Sequence, residues 1–283
     1  MIRRPTGFQR FIMAWVFLLP VILLAACGRT GPTPTMAPVP TGPPPTPRPT
    51  VPVVPTSTPS TKAPPAMKSV LSVDLTTADG VPIKGDYYRP AAENAPGVLL
   101  VHGSGRDRSV WQLFARQLME QGFATLAIDL RGYGESGGKS GAAATVEDVA
   151  TAVEFLKAQA EVNPDNILII GENDGSWWTL DYAAKHPDIR AVALITPGIA
   201  YDKKFLRQVM ADYGDRPIFI AVSDNEGLHN ENAVKTAKLL DKLATGPHEL
   251  ALLHDLAWGT GLLMQENGLV PKLLAWVNAV ARE

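Results

Sequence analysis

The sequence predicts an α/β fold over residues 66–283, a mostly parallel, eight-stranded, doubly wound sheet without a large lid. Three observations carry that expectation. Six short runs are continuously apolar, as strands covered on both faces must be. Helical patterns, with apolar residues at intervals of three and four, separate them. Two alternating runs stand first and read as a hairpin. Strands that alternate with helices imply crossover connections, and sheets so built place their sites at the carboxyl ends of the strands.

Two segments precede the predicted domain. Residues 1–26 read as a signal peptide, with Arg3, Arg4 and Arg10 ahead of an apolar run from Phe11 to Ala26. The run ends at Leu24-Ala25-Ala26-Cys27, which resembles the bacterial lipobox. That resemblance implies an acylated Cys27 as the mature N-terminus and a protein tethered by lipid to the cell membrane, on its extracytoplasmic side. An uncleaved anchor is the alternative, for a run slightly short of the roughly 20 residues a spanning helix needs. Residues 27–65 form a Pro/Thr-rich linker, expected to be disordered because it has no apolar periodicity from which to build a core. In polyproline II form such a spacer extends by about 3.1 Å per residue.

The domain's elements follow in order. Ser69 to Thr77 and Ile83 to Pro90 are the hairpin strands, joined through Asp79-Gly80. The buried strands are Gly97 to His102, Ala124 to Asp129, Ile167 to Gly171, Ala191 to Thr196, Ile218 to Ser223 and Glu249 to His254. The helical patterns are Trp111 to Gln121, Thr145 to Ala160, Ser176 to Lys185, Asn230 to Leu243 and Leu269 to Ala281. No long insertion follows the sixth strand, so the site is expected to be open.

Composition excludes several functions. A hydrophobic fraction of 46% in 283 residues supplies a proper core, and a net charge of -2 with interspersed signs offers no nucleic-acid surface. A single cysteine excludes an internal disulfide framework and a cysteine-based zinc site. Nothing in the sequence asks for a metal or cofactor.

The chemistry-bearing stretch is Ile167 to Trp178, a buried strand running through a glycine-flanked turn into a helix. Gly171-Glu172-Asn173-Asp174-Gly175 has the spacing of a nucleophile elbow, G-x-Nu-x-G. Its centre is Asn173, whose amide has no proton that a base removes to make an attacking anion. His102-Gly103-Ser104-Gly105 follows the third strand, and Asp129-Leu130-Arg131-Gly132-Tyr133-Gly134-Glu135-Ser136 follows the fourth. With the elbow on the fifth, the chain from Ser69 onward resembles an α/β-hydrolase, close to the dienelactone-hydrolase and prolyl-peptidase-like branch.

The resemblance implies a nucleophile, an acid and a histidine in that chain order. The nucleophile position is Asn173, a residue type that tolerates positive φ. Ser223-Asp224-Asn225-Glu226 puts Glu226 on the acid position, with Asp224 as the alternative, and either carboxylate also reads as a solvated loop group. Aligning Trp258-Gly259 with the family's G-H-G turn puts Trp258 at the base position, where an indole accepts no proton near neutral pH. Gly103 and Ser104 fall in the loop that supplies an oxyanion-hole amide, and the Asp174 amide at a helix N-terminus adds a second anion-attracting group.

Other residues carry weaker signals. Asp174 as a nucleophile would be aimed away from the elbow tip, and Ser176 suits a capping role. His254 either swings into the vacant base position or makes an ordinary strand-end hydrogen bond. His102 reads as a shaper of the oxyanion loop, and His186, His229 and His248 as surface residues. Trp177, Trp178 and Trp258 provide either core packing or an aromatic shelf for a small acyl or carboxylate ligand with an apolar body. Three functions remain open: a binding or scaffolding lipoprotein with a degenerate hydrolase site, a hydrolase whose catalytic groups have moved, and a structural envelope protein. No protein partner is indicated.

Overall fold

A computed structural model describes residues 68–198, 203–225 and 231–282. The eight strands are β1 (Ser69–Thr76), β2 (Pro82–Arg89), β3 (Ala95–Val101), β4 (Ala124–Ile128), β5 (Val162–Glu172), β6 (Ile189–Ile195), β7 (Ile218–Ser223) and β8 (His248–Leu253). They form a sheet in the order β1-β2-β4-β3-β5-β6-β7-β8. β1 pairs antiparallel with β2 and β2 antiparallel with β4, and every later pairing is parallel. Among the described residues six α-helices cover the sheet: α1 (Gln112–Glu120), α2 (Ala142–Lys157), α3 (Gly175–Lys185), α4 (Lys203–Tyr213), α5 (Glu231–Leu243) and α6 (Leu269–Val280).

Strand parity divides the core in two. Leu99, Val101, Ile167, Ile169, Val192 and Leu194 face α2, α3, α4 and α5. Their neighbours Val98, Leu100, Leu168, Ile170, Ala191 and Ala193 face α1 and α6. Successive side chains of a strand point to opposite faces, so an unbroken apolar run is what two helical layers require. The predicted doubly wound sheet is the observed one.

Three details differ from expectation. β5 begins at Val162, because Val162 and Asn163 pair with Ala95 and Pro96 before a register shift resumes the pairing at Ile167. β8 is an edge strand in which Ala251 is the buried residue, not a strand covered on both faces. α4 was not expected, although Leu206, Val209, Met210 and Tyr213 are all buried and recur at helical spacing. Its apolar face joins the core shared with α3, so the described part of the β6–β7 connection is a packed helical layer and no large lid. No helix among the described residues is long and apolar enough to cross a membrane.

Candidate functional site

The elbow is present as a backbone structure. β5 ends at Glu172, Asn173 takes φ 51°, and α3 begins at Gly175. The Asn173 amide donates to the Ile195 carbonyl at 2.9 Å, and its own carbonyl accepts from Ser176 N–H at 3.1 Å. The flanking glycines are fixed by space: a Cβ on Gly171 would lie 2.5 Å from the Gly175 carbonyl oxygen, and one on Gly175 would lie 2.5 Å from that of Val101. Ser176 is fully buried, and its hydroxyl donates back to the Gly171 carbonyl at 3.0 Å. It ties helix to strand rather than capping α3. Asp174 holds the N-cap position with helical dihedrals and no side-chain cap bond.

Glu172, unremarked in the sequence, proves to be the central side chain. It is fully buried, and one carboxylate oxygen accepts from Gly103 N–H at 2.9 Å while the other accepts from Thr260 N–H at 3.3 Å. A Cβ on Gly259 would collide with the second oxygen. Burial holds its carboxyl above the usual carboxylate range, against the pull of the Gly103 amide and the Arg106 charge. The carboxylate thus joins three segments: the loop after β3, the end of β5 and the turn after β8. A signal was available, since a glutamate at the end of an apolar strand is unusual unless its charge is accommodated.

The Gly103 amide, expected as an oxyanion donor, is therefore already engaged. Ser104 beside it is exposed. His102 is fully buried, with Nε2 accepting from Leu130 N–H at 3.0 Å and Nδ1 lying 2.7 Å from the Gly103 carbonyl. These partners put the proton on Nδ1, and burial lowers the ring's pKa, so the imidazole is neutral and shapes the loop as expected.

Trp258 stands in the turn that enters a 3-10 segment, Gly259–Met264, and is 42% exposed. The guanidinium carbon of Arg106 lies 5.2 Å from its ring centroid. Gly259 N–H donates to Thr196 Oγ1 at 2.9 Å, which fixes the turn against the end of β6. Trp177 and Trp178 are buried in the core, and the Trp177 indole N–H donates to the Gly198 carbonyl, so neither forms a ligand shelf. Gly198 also abuts the elbow, because a Cβ there would collide with Asn173 Oδ1.

The histidines at the strand ends serve elsewhere. His254 Nδ1 lies 3.0 Å from Asp224 Oδ1, with both side chains largely exposed at 85% and 45%. This is the ordinary strand-end contact, and Asp224, the alternative acid, is its partner. His186 stacks on Tyr182, and His248 lies 2.8 Å from the Gly246 carbonyl. Glu226, His229 and Cys27 lie outside the described residues. Among the described residues no cluster of His, Cys, Asp and Glu is placed to hold a metal.

The turn after β4 is structural. Buried Asp129 accepts from the Arg108 amide at 2.7 Å and the Glu135 amide at 2.8 Å, and it pairs with the Arg108 guanidinium. Arg131 bridges Asp148 and Asp79, while Ser136 Oγ donates to the Asp129 carbonyl at 2.6 Å.

Residues 92–244, more than half of the chain, match the serine aminopeptidase, S33 family. An uncharacterized protein of Mycobacterium tuberculosis is 31% identical over 128 residues, 44% of this chain and 46% of that protein. Thiohydrolase aneE of Aspergillus aculeatus is 26% identical over 151 residues, 51% of this chain and 47% of that enzyme. The chain thus spans about half the length of these curated relatives. The Pyrococcus furiosus esterase Pf2001 superposes with a TM-score of 0.59 at 18% identity, covering 76% of this chain and 89% of the esterase. Similarity at that identity concerns the fold.

Proposed function

The chain belongs to the serine aminopeptidase S33 family of α/β hydrolases, and from that premise we propose that it is a lipid-tethered extracytoplasmic member that binds or scaffolds instead of transferring acyl groups. The observation that carries this reading is Asn173 at the elbow tip with φ 51°. The turn that presents a nucleophile is complete, and the residue it presents is a carboxamide, whose N–H is too weakly acidic for a neighbouring base to turn it into an attacking anion. Trp258 at the base position supports the same conclusion independently, since an indole N–H donates and does not accept. The ligand class, a small molecule with an acyl or carboxylate group, rests on membership of a hydrolase family, and the name thiohydrolase for the relative aneE accords with it. The narrower placement in the dienelactone-hydrolase and prolyl-peptidase-like branch rests on the motifs after the third and fourth strands. Tethering rests on the Leu24-Ala25-Ala26-Cys27 motif.

The test uses full-length protein with a fluorophosphonate probe and a panel of short-chain esters and thioesters. Labelling and turnover should stay at the buffer background. Turnover that disappears on changing one Ser or Asp would show a hydrolase with relocated groups and overturn the reading. Mass spectrometry of the mature N-terminus should find a lipidated Cys27, and an intact leader with unmodified Cys27 would refute the tether.

A further inference from the structure

Arg106 leaves the loop after β3 with its amide donating to the Gly103 carbonyl at 3.3 Å. Its guanidinium is carried to Trp258, on the turn after β8. Among the described residues no carboxylate is hydrogen-bonded to that guanidinium. Glu172 attracts it through space, but the Glu172 oxygens accept from the Gly103 and Thr260 amides and not from the guanidinium. A guanidinium held against an indole keeps its N–H donors at the rim, in the planar fork that grips a carboxylate through two parallel bonds. We propose that Arg106 and Trp258 form a binding site for a monoanionic carboxylate with an apolar body, the guanidinium holding the carboxylate and the indole carrying the body.

This inference rests on the ligand-binding reading above and names the group that performs it. The pair borders the elbow, since a Cβ on Gly103, in the same loop as Arg106, would lie 2.7 Å from Asn173 Cβ, and Gly259 beside Trp258 abuts Glu172. Trp258 is 42% exposed and Leu256 of the same turn 73%, so apolar surface is available to an incoming ligand. Charge selects the monoanion. The guanidinium carries one positive charge, and the Glu172 carboxyl that senses it opposes a phosphate dianion more than a single carboxylate.

Calorimetry on the full-length protein, with sodium phenylacetate, its neutral isostere phenylacetamide and inorganic phosphate, tests the site. Phenylacetate should bind at least about tenfold more tightly than phenylacetamide or phosphate, and Arg106→Met should weaken phenylacetate at least about tenfold. Arg106→Lys should recover part of the affinity, because it restores the charge but not the fork. Thermal unfolding of each variant establishes that the fold is retained, and the partial recovery by lysine distinguishes a lost contact from a damaged loop. No binding by the native protein, equal binding of phenylacetamide, tighter binding of phosphate, or binding unchanged in Arg106→Met each overturns the proposal. The fluorophosphonate and ester assays on the same samples separate the two readings. Turnover with Arg106-dependent binding defeats the non-catalytic reading alone. Absent turnover with Arg106-independent binding defeats this site alone.

Discussion

Asn173 and Glu172 are neighbours with opposite relations to their surroundings: one is partly exposed at a strained tip, the other is fully buried in a polar clamp. Positive φ is tolerated by asparagine and disfavoured for most other side chains, so Asn173→Val should lose about 1–2 kcal/mol in urea unfolding, whereas Asn173→Gly should be near neutral. Asn173→Ser should remain unlabelled by a fluorophosphonate, because the substitution restores an attacking oxygen without a base. Glu172 makes a prediction in pH. Its folded carboxyl binds a proton more tightly than the unfolded chain does, so its contribution to stability is greatest below the ordinary carboxylate pKa. It declines as pH rises towards the raised folded value, by at most about 1.4 kcal/mol per pH unit. Glu172→Gln removes this dependence. The Tm of the variant minus that of the native protein should therefore rise as pH increases above the ordinary carboxylate range, and a falling difference would contradict the buried clamp.

At the scale of elements, the elbow and the turn after β4 are joints of different construction. The elbow depends on closeness: Gly175→Ala, whose methyl would meet the Val101 and His102 carbonyls at 2.5 and 2.6 Å, should cost about 1–3 kcal/mol in denaturant midpoint experiments. The turn depends on charge. Asp129 is fully buried and Glu135 exposed, yet both pair with Arg108, so Asp129→Ala should lose about 3–5 kcal/mol and Glu135→Ala less than about 1 kcal/mol. The elbow was legible because its spacing is local, with two glycines and a strand-to-helix switch inside one short segment. The clamp was not. Glu172, Gly103 and Thr260 are brought together by β3, β5 and the turn after β8, and no local pattern records a contact over such separations. The Arg106 and Trp258 pair was hidden for the same reason. α4 is a different case, for Leu206, Val209, Met210 and Tyr213 recur at helical spacing in the sequence between two stronger strand signals.

Across the whole molecule, one sheet serves two cores, and stability should grade from its centre outwards. β3 and β6 are buried along nearly their whole length, whereas β1 is largely exposed. Hydrogen exchange should therefore be slowest in β3, β6 and the apolar part of β5, and fastest among the strands in β1 and β8. Uniform exchange across the sheet would contradict this gradient. The doubly wound arrangement was readable because two helical layers demand unbroken apolar strands, and β8 misled because an apolar run is also compatible with an edge. The placement of the indoles has an optical consequence. Trp111, Trp177 and Trp178 are shielded, while Trp258 is 42% exposed beneath a guanidinium. Collisional quenchers will sample the emission unevenly, and the local positive charge draws anions and repels cations. Iodide should darken a red-shifted fraction of the fluorescence that caesium leaves bright, and Arg106→Met should abolish the distinction.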